Sequence, residues 1–279
     1  MSASYKPSMI RMIFHCPHCS APLQQSASVW TCINQHSFDI AKEGYVNLLV
    51  PTKGQSKVAG DSAEMIQARR AIHEAGLYQP LAATLSDIIC EHIHKPTNVL
   101  DIGSGEGYYS RYFQEQIPTH KYYGIDISKT AIRTASKQNS TIQYAVASAF
   151  RMPVESGSVG LATRIFAPSD DAELLRVLSN EGQYLEVGPA PRHLWELREA
   201  LYDAPTPHAP HRVALVGFDL VQQGQCHYPF DLRNNQLQQL IAATPFAHKG
   251  HREKRAALLQ RDQLTVTMAF EWRLFKKQP

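Results

Sequence analysis

The sequence predicts an α/β protein, a mostly parallel sheet wound with helices on both faces, with a small metal-binding unit at its front. Three observations lead there. Asn98 to Ile102 is a short apolar run bounded by polar residues, the mark of a buried strand, and it enters a turn with glycines at 103, 105 and 107 before a helical pattern begins. Strand-like and helix-like segments then alternate, which implies parallel strands joined by crossovers, with ligands at the C-terminal strand ends. Upstream, Cys16-Pro-His-Cys19 and Cys32-Ile-Asn-Gln-His36 set a CxxC pair and a CxxxH pair within 21 residues.

Composition sets the bounds. A chain of 279 residues, 43% hydrophobic and 19% charged, has room for one α/β domain and a small companion. A formal charge of +3, with thirteen histidines uncounted, is compatible with an RNA partner and excludes a polycationic binder. The N-terminus lacks the order of a signal peptide, and no run approaches the roughly 18 apolar residues of a membrane span. A cytoplasmic protein without a membrane partner is expected. There is no internal repeat and no low-complexity tract.

Taken in order, Met1 to Met12 is a polar lead. Each half of the Cys/His pattern can supply one edge of a tetrahedron, and three soft thiolates with one imidazole suit a closed structural Zn²⁺ site. The ligand set is Cys16, Cys19, Cys32 and His36. His15 and His18 are alternative ligands, but the CxxxH spacing favours His36, and Trp30 and Phe38 would cover the small core. A disulfide fits a cytoplasmic chain less well. Cys90 and Cys226 read as buried thiols. This unit takes residues 1–50. A linker over 51–60 follows, with Lys53 and Lys57 free to approach phosphate or simply solvated, and the main domain takes 61–279. Gly60-Asp61-Ser62 offers a helix cap, the helix runs to about Glu74, and Gly76 stops it. Tyr78-Gln79-Pro80 starts another, with Leu81, Leu85, Ile88, Ile89 and Ile93 on one face.

The chemistry of the glycine turn selects its ligand. A dinucleotide fingerprint reads GxGxxG, whereas this turn reads Asp101-x-Gly103-x-Gly105-x-Gly107 with a carboxylate in front, unsuited to a pyrophosphate. A cationic amino-acid tail suits it, and S-adenosylmethionine carries an ammonium and a sulfonium. Nineteen residues after Gly107, the strand Tyr122 to Ile125 ends in Asp126, placed to accept hydrogen bonds from ribose hydroxyls. Together these features resemble the class I S-adenosylmethionine-dependent methyltransferases, whose fold is a seven-stranded, mostly parallel sheet.

The resemblance narrows further. HSFDIAKEGYVNLL, GDSAEMIQARR, Tyr78-Gln79-Pro80-Leu81, VLDIGSGEGYYSR, RIFAPSDDAELLRVL and GPAPRHLWELRE, behind the Cys/His unit, are similar to the bacterial 23S ribosomal RNA guanine-N1 methyltransferases from about Cys16 to Tyr202. Ser104 replaces a cysteine of that pattern, Val58-Ala59 stands where proline is usual, and Phe166 stands where tyrosine is common. The resemblance implies that Tyr78, Tyr109, Ser110 and His193 bind or enclose S-adenosylmethionine beside Asp101, Gly103, Gly105 and Asp126. It also implies 23S rRNA as partner, an RNA-recognition role for residues 1–50, and compatibility with a homodimer.

Beyond Asp126, Ser128 caps a helix to about Lys137, and Ile142, Tyr144 and Val146 alternate as a strand, followed by Ala147-Ser148 where an adenine would lie. A strand over Val159 to Ile165 leads to Arg164-Ile165-Phe166-Ala167-Pro168, the tip at which class I enzymes present the substrate base. A helix near Asp170 to Leu178, a strand near Gln183 to Val187 and a helix from His193 to Tyr202 follow. After three prolines between 205 and 210 come a strand near Phe218, a helix from Asn234, the basic stretch 248–255 on a further helix, and a final strand alternating from Leu264 to Leu274. Guanine N1 must lose its proton on methylation, which calls for a base or a donor to O6. Asp170, Asp171 and His193 are candidate bases, Arg164 and Arg192 candidate donors, and Tyr45 or Phe166 could stack on the base. A small-molecule methyltransferase with a structural zinc unit, or a non-catalytic zinc-containing RNA-binding protein, would share parts of this pattern.

Overall fold

The computed structural model describes residues 12–50, 62–209, 214–247 and 251–279. The proposed linker and residues 248–250 of the basic stretch lie outside them.

The front of the chain is a three-stranded antiparallel sheet, β1 (Gln24–Ser26), β2 (Val29–Thr31) and β3 (Ser37–Asp39), with Trp30 opposite both Gln25 and Phe38. A two-residue strand, β4 (Val46–Asn47), follows. The first helix, α1 (Ala63–Glu74), is capped by Ser62, whose Oγ accepts the Met65 amide at 3.2 Å, and it ends before Gly76 at φ +79°. The second, α2 (Gln79–His92), has Pro80 in its first turn, where the missing N–H costs nothing.

The alternating part contains β5 (Asn98–Ile102), α3 (Tyr108–Gln116), β6 (Lys121–Asp126), α4 (Lys129–Gln138), β7 (Gln143–Val146), β8 (Val159–Ile165), α5 (Asp171–Val177), β9 (Leu178–Pro189) and α6 (Trp195–Leu201). The chain closes with β10 (Phe218–Arg233), α7 (Asn234–Ala242), α8 (Arg252–Leu259) and β11 (Gln263–Lys277). The main sheet has the order β10-β11-β9-β8-β5-β6-β7-β4. β4 through β9 run parallel, and β11 is antiparallel to both β9 and β10.

The expected seven strands are therefore eight. The extra strand is β4, which leaves the front unit to pair with β7 through Val46↔Ala145 and Asn47↔Val146. The end of the segment Phe38 to Val50 reads as a short strand in the sequence, and β4 bears that out; its pairing with the main sheet is what the sequence pattern does not give.

Helices lie on both faces as expected, but unevenly. Alternation along β5 turns Val99 to one face and Leu100 and Ile102 to the other. Residues of α1 to α4 and α6 to α8 pack on the first. No helix joins β7 to β8, and the second face is closed by α5 together with the front unit: Phe14 and Trp30 share a buried cluster with Leu100, Ile102, Tyr123 and Leu174. The Phe14 ring lies 5.6 Å from that of Tyr123, edge to face.

Candidate functional site

Two tight turns build the metal site. The Ser20 amide donates to the Cys16 carbonyl at 2.8 Å, and the Gln35 amide to the Cys32 carbonyl at 2.9 Å, with Ser20 and Gln35 at positive φ. These turns bring Cys16, Cys19, Cys32 and His36 together, with ligand atoms all within 4.8 Å of one another. A zinc tetrahedron with bonds of about 2.3 Å to sulfur and 2.0–2.1 Å to nitrogen has S–S edges of roughly 3.8 Å and S–N edges of roughly 3.6 Å. Cys19 Sγ stands 3.7 Å from Cys32 Sγ, and His36 Nδ1 stands 3.5 and 3.4 Å from the sulfurs of Cys16 and Cys32. The donor set fits zinc in size and in softness. Burial pushes the Cys16 thiol up to about 11, and a bound cation would favour its thiolate. His18 instead stacks on Phe38.

At the C-terminal ends of β5, β6, β7 and β8 lies a cleft of about 2190 Å³. The three glycines of the turn differ in what they do. A Cβ on Gly103 would stand 2.3 Å from that of Ala167, and one on Gly107 2.5 Å from Tyr144 Oη, so both exist for packing; Gly105, at φ +56°, has no neighbour within 4 Å and faces the open cleft. Its amide donates to Asp126 Oδ2 at 2.9 Å, while the Ser128 amide donates to Oδ1 at 2.7 Å. Gly103, Gly105, Asp126, Ser148, Tyr78, Tyr109 and His193 all line the cleft.

Asp101 and Ser110 do not. Asp101 is 4% exposed beneath the turn, where it accepts from Ser110 Oγ at 2.5 Å and from Thr163 Oγ1 at 3.1 Å. Burial raises its carboxyl to about 6. Tyr109 Oη is buried without a hydrogen-bond partner, a polar atom that a ligand's polar end would satisfy.

Matches to known proteins follow these two sites. The zinc-ribbon family model described as "RlmA, N-terminal" matches residues 14–57, and a "Methyltransferase domain" model matches 99–185. The 23S rRNA (guanine(748)-N(1))-methyltransferase of Streptomyces fradiae is 36% identical over 67% of this chain and 66% of its own, so the match spans just under two thirds of that relative. YxjB of Bacillus subtilis, provisionally named a 23S rRNA (guanine-N(1)-)-methyltransferase, is 30% identical over 92% of this chain and 94% of its own. The chain belongs to the 23S rRNA (guanine-N1)-methyltransferase family. Its fold is shared with a chain of the Haloferax volcanii complex of the Trm112 methyltransferase activator and a protein provisionally named a methyltransferase, at a TM-score of 0.52 and 15% identity over 79% of this chain and all of that one. S-adenosylmethionine is the cofactor of such a domain, and zinc the ion of such a ribbon.

Within this member of the guanine-N1 methyltransferase family, the acid–base candidates are redistributed. Asp170 caps α5, accepting the Glu173 amide at 3.0 Å, and neither it nor Asp171 lines the cleft. His193 accepts the Ala269 amide on Nδ1 at 3.2 Å, so its proton sits on Nε2. Burial, with His208 and Arg198 nearby, lowers it to about 3, which makes it a neutral donor and removes it as a base. Arg164 reaches the cleft but is ion-paired with Glu186 and donates to Ser169 at 2.8 Å, while Arg273 bonds the other Glu186 oxygen at 2.6 Å. Arg192 is exposed and lies over the Trp195 ring at 4.7 Å, away from the cleft.

Of the stacking candidates, Tyr45 is buried in the core, whereas Phe166 is 45% exposed in the cleft at φ +59°. A bulky side chain in left-handed backbone is a strained arrangement of the kind that gathers at functional sites. Its ring lies 6.1 and 6.5 Å from those of Tyr78 and Tyr109.

Residues not singled out from sequence also shape the cleft. Arg198 Nη1 donates to the Thr206 carbonyl at 2.8 Å and its Nη2 lies 2.7 Å from His208 Nε2. His73, on α1, lies 2.7 Å through Nδ1 from Glu106 Oε1, inside the glycine turn. The HxxG spacing from His73 to the Gly76 stop carries no motif, so only the fold pairs it with Glu106. Burial lowers His73, while for Glu106 burial is outweighed by His73 and Arg111, which hold its carboxyl below the ordinary range. Elsewhere, Cys90 is exposed rather than buried, and His251 and Lys254 of the basic stretch are engaged by Asp203.

Proposed function

We propose that this protein methylates N1 of one guanine in 23S ribosomal RNA, using S-adenosylmethionine. One observation carries the reading: a single cleft runs from the glycine turn to the metal-binding unit, lined by Gly103, Gly105 and Phe166 at one end and by His15, Pro17 and Ser20 at the other. The zinc-ribbon match and the methyltransferase match thus fall on two ends of one surface.

In this reading, bound S-adenosylmethionine supplies an electrophilic methyl group on a sulfonium. Asp126 accepts the ribose hydroxyls, Ser148 borders the adenine, and Tyr78, Tyr109 and the neutral His193 donate to or enclose the amino-acid end. Asp101, through Ser110 and Thr163, keeps the turn in shape from below. Phe166 stacks on a guanine withdrawn from pairing, and the pocket excludes water around N1. With the carboxylates nearest the β8 tip committed to a helix cap and to arginines, the chain's main contribution is aim, which by itself can supply much of a rate enhancement.

The division into residues 1–50, 51–60 and 61–279 is proposed as a division of labour, with the front recognising RNA and the rest performing transfer. Among the described residues no helix is long and apolar enough to cross a membrane. A cytoplasmic location belongs to the same proposal, since its substrate is ribosomal RNA. A homodimer remains compatible with this scheme. The test is incubation with 23S rRNA lacking the modification, followed by mapping of reverse-transcription stops and nucleoside mass spectrometry. A new stop at one guanine with 1-methylguanosine recovered is expected; 23S rRNA that gains no methyl group would overturn the reading.

A further inference from the structure

We infer that His73 is a positioning residue for the methyl donor: by holding Glu106 from α1, it fixes the backbone of the glycine turn against which S-adenosylmethionine lies. The inference uses the cofactor half of the reading above and is independent of the RNA.

Gly105 faces the open cleft, and the next side chain, Glu106, turns into the protein, 2% exposed. A carboxylate there loses its hydration and must be held. His73 holds it, itself 8% exposed, at 2.7 Å from Oε1. Because a carboxylate only accepts, the imidazole presents Nδ1–H. Arg111, on α3, stands 3.6 Å from Oε2 and 3.5 Å from the Glu106 carbonyl. The residue after Gly105 is thereby tied to α1 on one side and α3 on the other.

The imidazole ring has a second set of contacts. It stacks on Tyr108 at 4.1 Å and 17°, and lies edge-on to Tyr78 at 5.2 Å and to Tyr109 at 6.1 Å. Tyr78 and Tyr109 both line the cleft. The Gly76 amide donates to the His73 carbonyl at 2.9 Å, closing the turn that delivers Tyr78. One side chain thus touches the turn, both tyrosine walls and the helix that carries it. His73 and Glu106 border the same cleft as the two tyrosines, and the role assigned to His73 is exerted through the groups it touches, Glu106 and the tyrosine rings.

The experiment is direct binding of S-adenosylmethionine and S-adenosylhomocysteine to the full-length, zinc-loaded protein by calorimetry, for wild type, His73→Asn and His73→Phe. Asparagine presents an amide N–H near the Nδ1 position and keeps the bond to Glu106; phenylalanine keeps the ring stack on Tyr108 and loses the bond. Affinity within about threefold of wild type for His73→Asn and at least tenfold weaker for His73→Phe is expected, with the loss in KM for the donor rather than in kcat. In Glu106→Ala, the additional change from His73→Phe should be less than twofold. Equal affinities for the Asn and Phe variants, or full additivity with Glu106→Ala, would overturn the inference. Since binding is read without RNA, failure here is separable from failure to methylate 23S rRNA.

Discussion

The Gly105 amide donates to the Asp126 carboxylate at 2.9 Å, so the glycine turn after β5 and the acidic tip of β6 are one hydrogen-bonded unit. Two motifs that sequence places 21 residues apart are braced by each other, and a ligand at either meets a surface already set by both. Preorganisation of this kind lowers the cost of ordering on binding.

The glycines of the turn should therefore separate under mutation. Gly103→Ala drives a methyl group against Ala167 in left-handed backbone and is expected to cost roughly 2–4 kcal/mol of stability. Gly105→Ala meets open space and should cost only about 1 kcal/mol, while weakening S-adenosylmethionine at least tenfold by occupying its seat. Chemical denaturation and calorimetry on both variants test this; a Gly105→Ala protein that binds normally would refute it.

Asp101 gives a pH dependence of defined sign. Its carboxyl is raised in the fold to about 6, above the ordinary 3.8, so the native state favours the protonated form. That contribution is complete below about pH 4 and disappears as pH climbs through 6. Asp101→Asn abolishes the titration, and its stability relative to wild type should rise by roughly 2–3 kcal/mol between pH 4 and 7.5. Denaturant melts at the two pH values measure the difference, and a constant gap contradicts the expectation.

Metal removal should reach beyond the metal. Because Phe14 and Trp30 share a core with Leu100, Ile102 and Tyr123, the front unit and the sheet are expected to lose stability together. Chelation should release one zinc per chain, expose amides over 12–50 to hydrogen exchange, and lower the midpoint of the main thermal transition. A main transition that stays put after zinc release would show the two parts to be energetically independent.

Phe166 should trade stability for activity. Phe166→Gly relieves the positive φ and is expected to raise stability by about 1 kcal/mol, while Phe166→Ala and Phe166→Gly alike lower RNA methylation at least tenfold by removing the stacking face. Thermal denaturation and initial rates on one preparation decide it. Unchanged rates in both variants would remove Phe166 from substrate handling.

Much of this was legible in the chain itself, because the relevant signals are local. Cys16-x-x-Cys19 and Cys32-x-x-x-His36 carry their turn geometry in their spacing, the alternation from Asn98 onward gives the strands, and Asp126 at a strand end follows from register alone. What sequence spacing could not decide is what meets across distance. Asp101 reads as a direct partner of a cationic ligand until the fold seats Ser110 and Thr163 on its two oxygens; Asp170 and His193 read as bases until α5 and β11 claim their acceptor atoms. Those assignments depend on which side of a strand a carboxylate leaves and which backbone amide stands opposite it. The eighth strand, the closing of the second face by the front unit, and the His73 to Glu106 pair are of the same kind. Each is a contact between elements whose individual patterns are complete without it, so packing alone, through exclusion of water and satisfaction of buried polar groups, selects it.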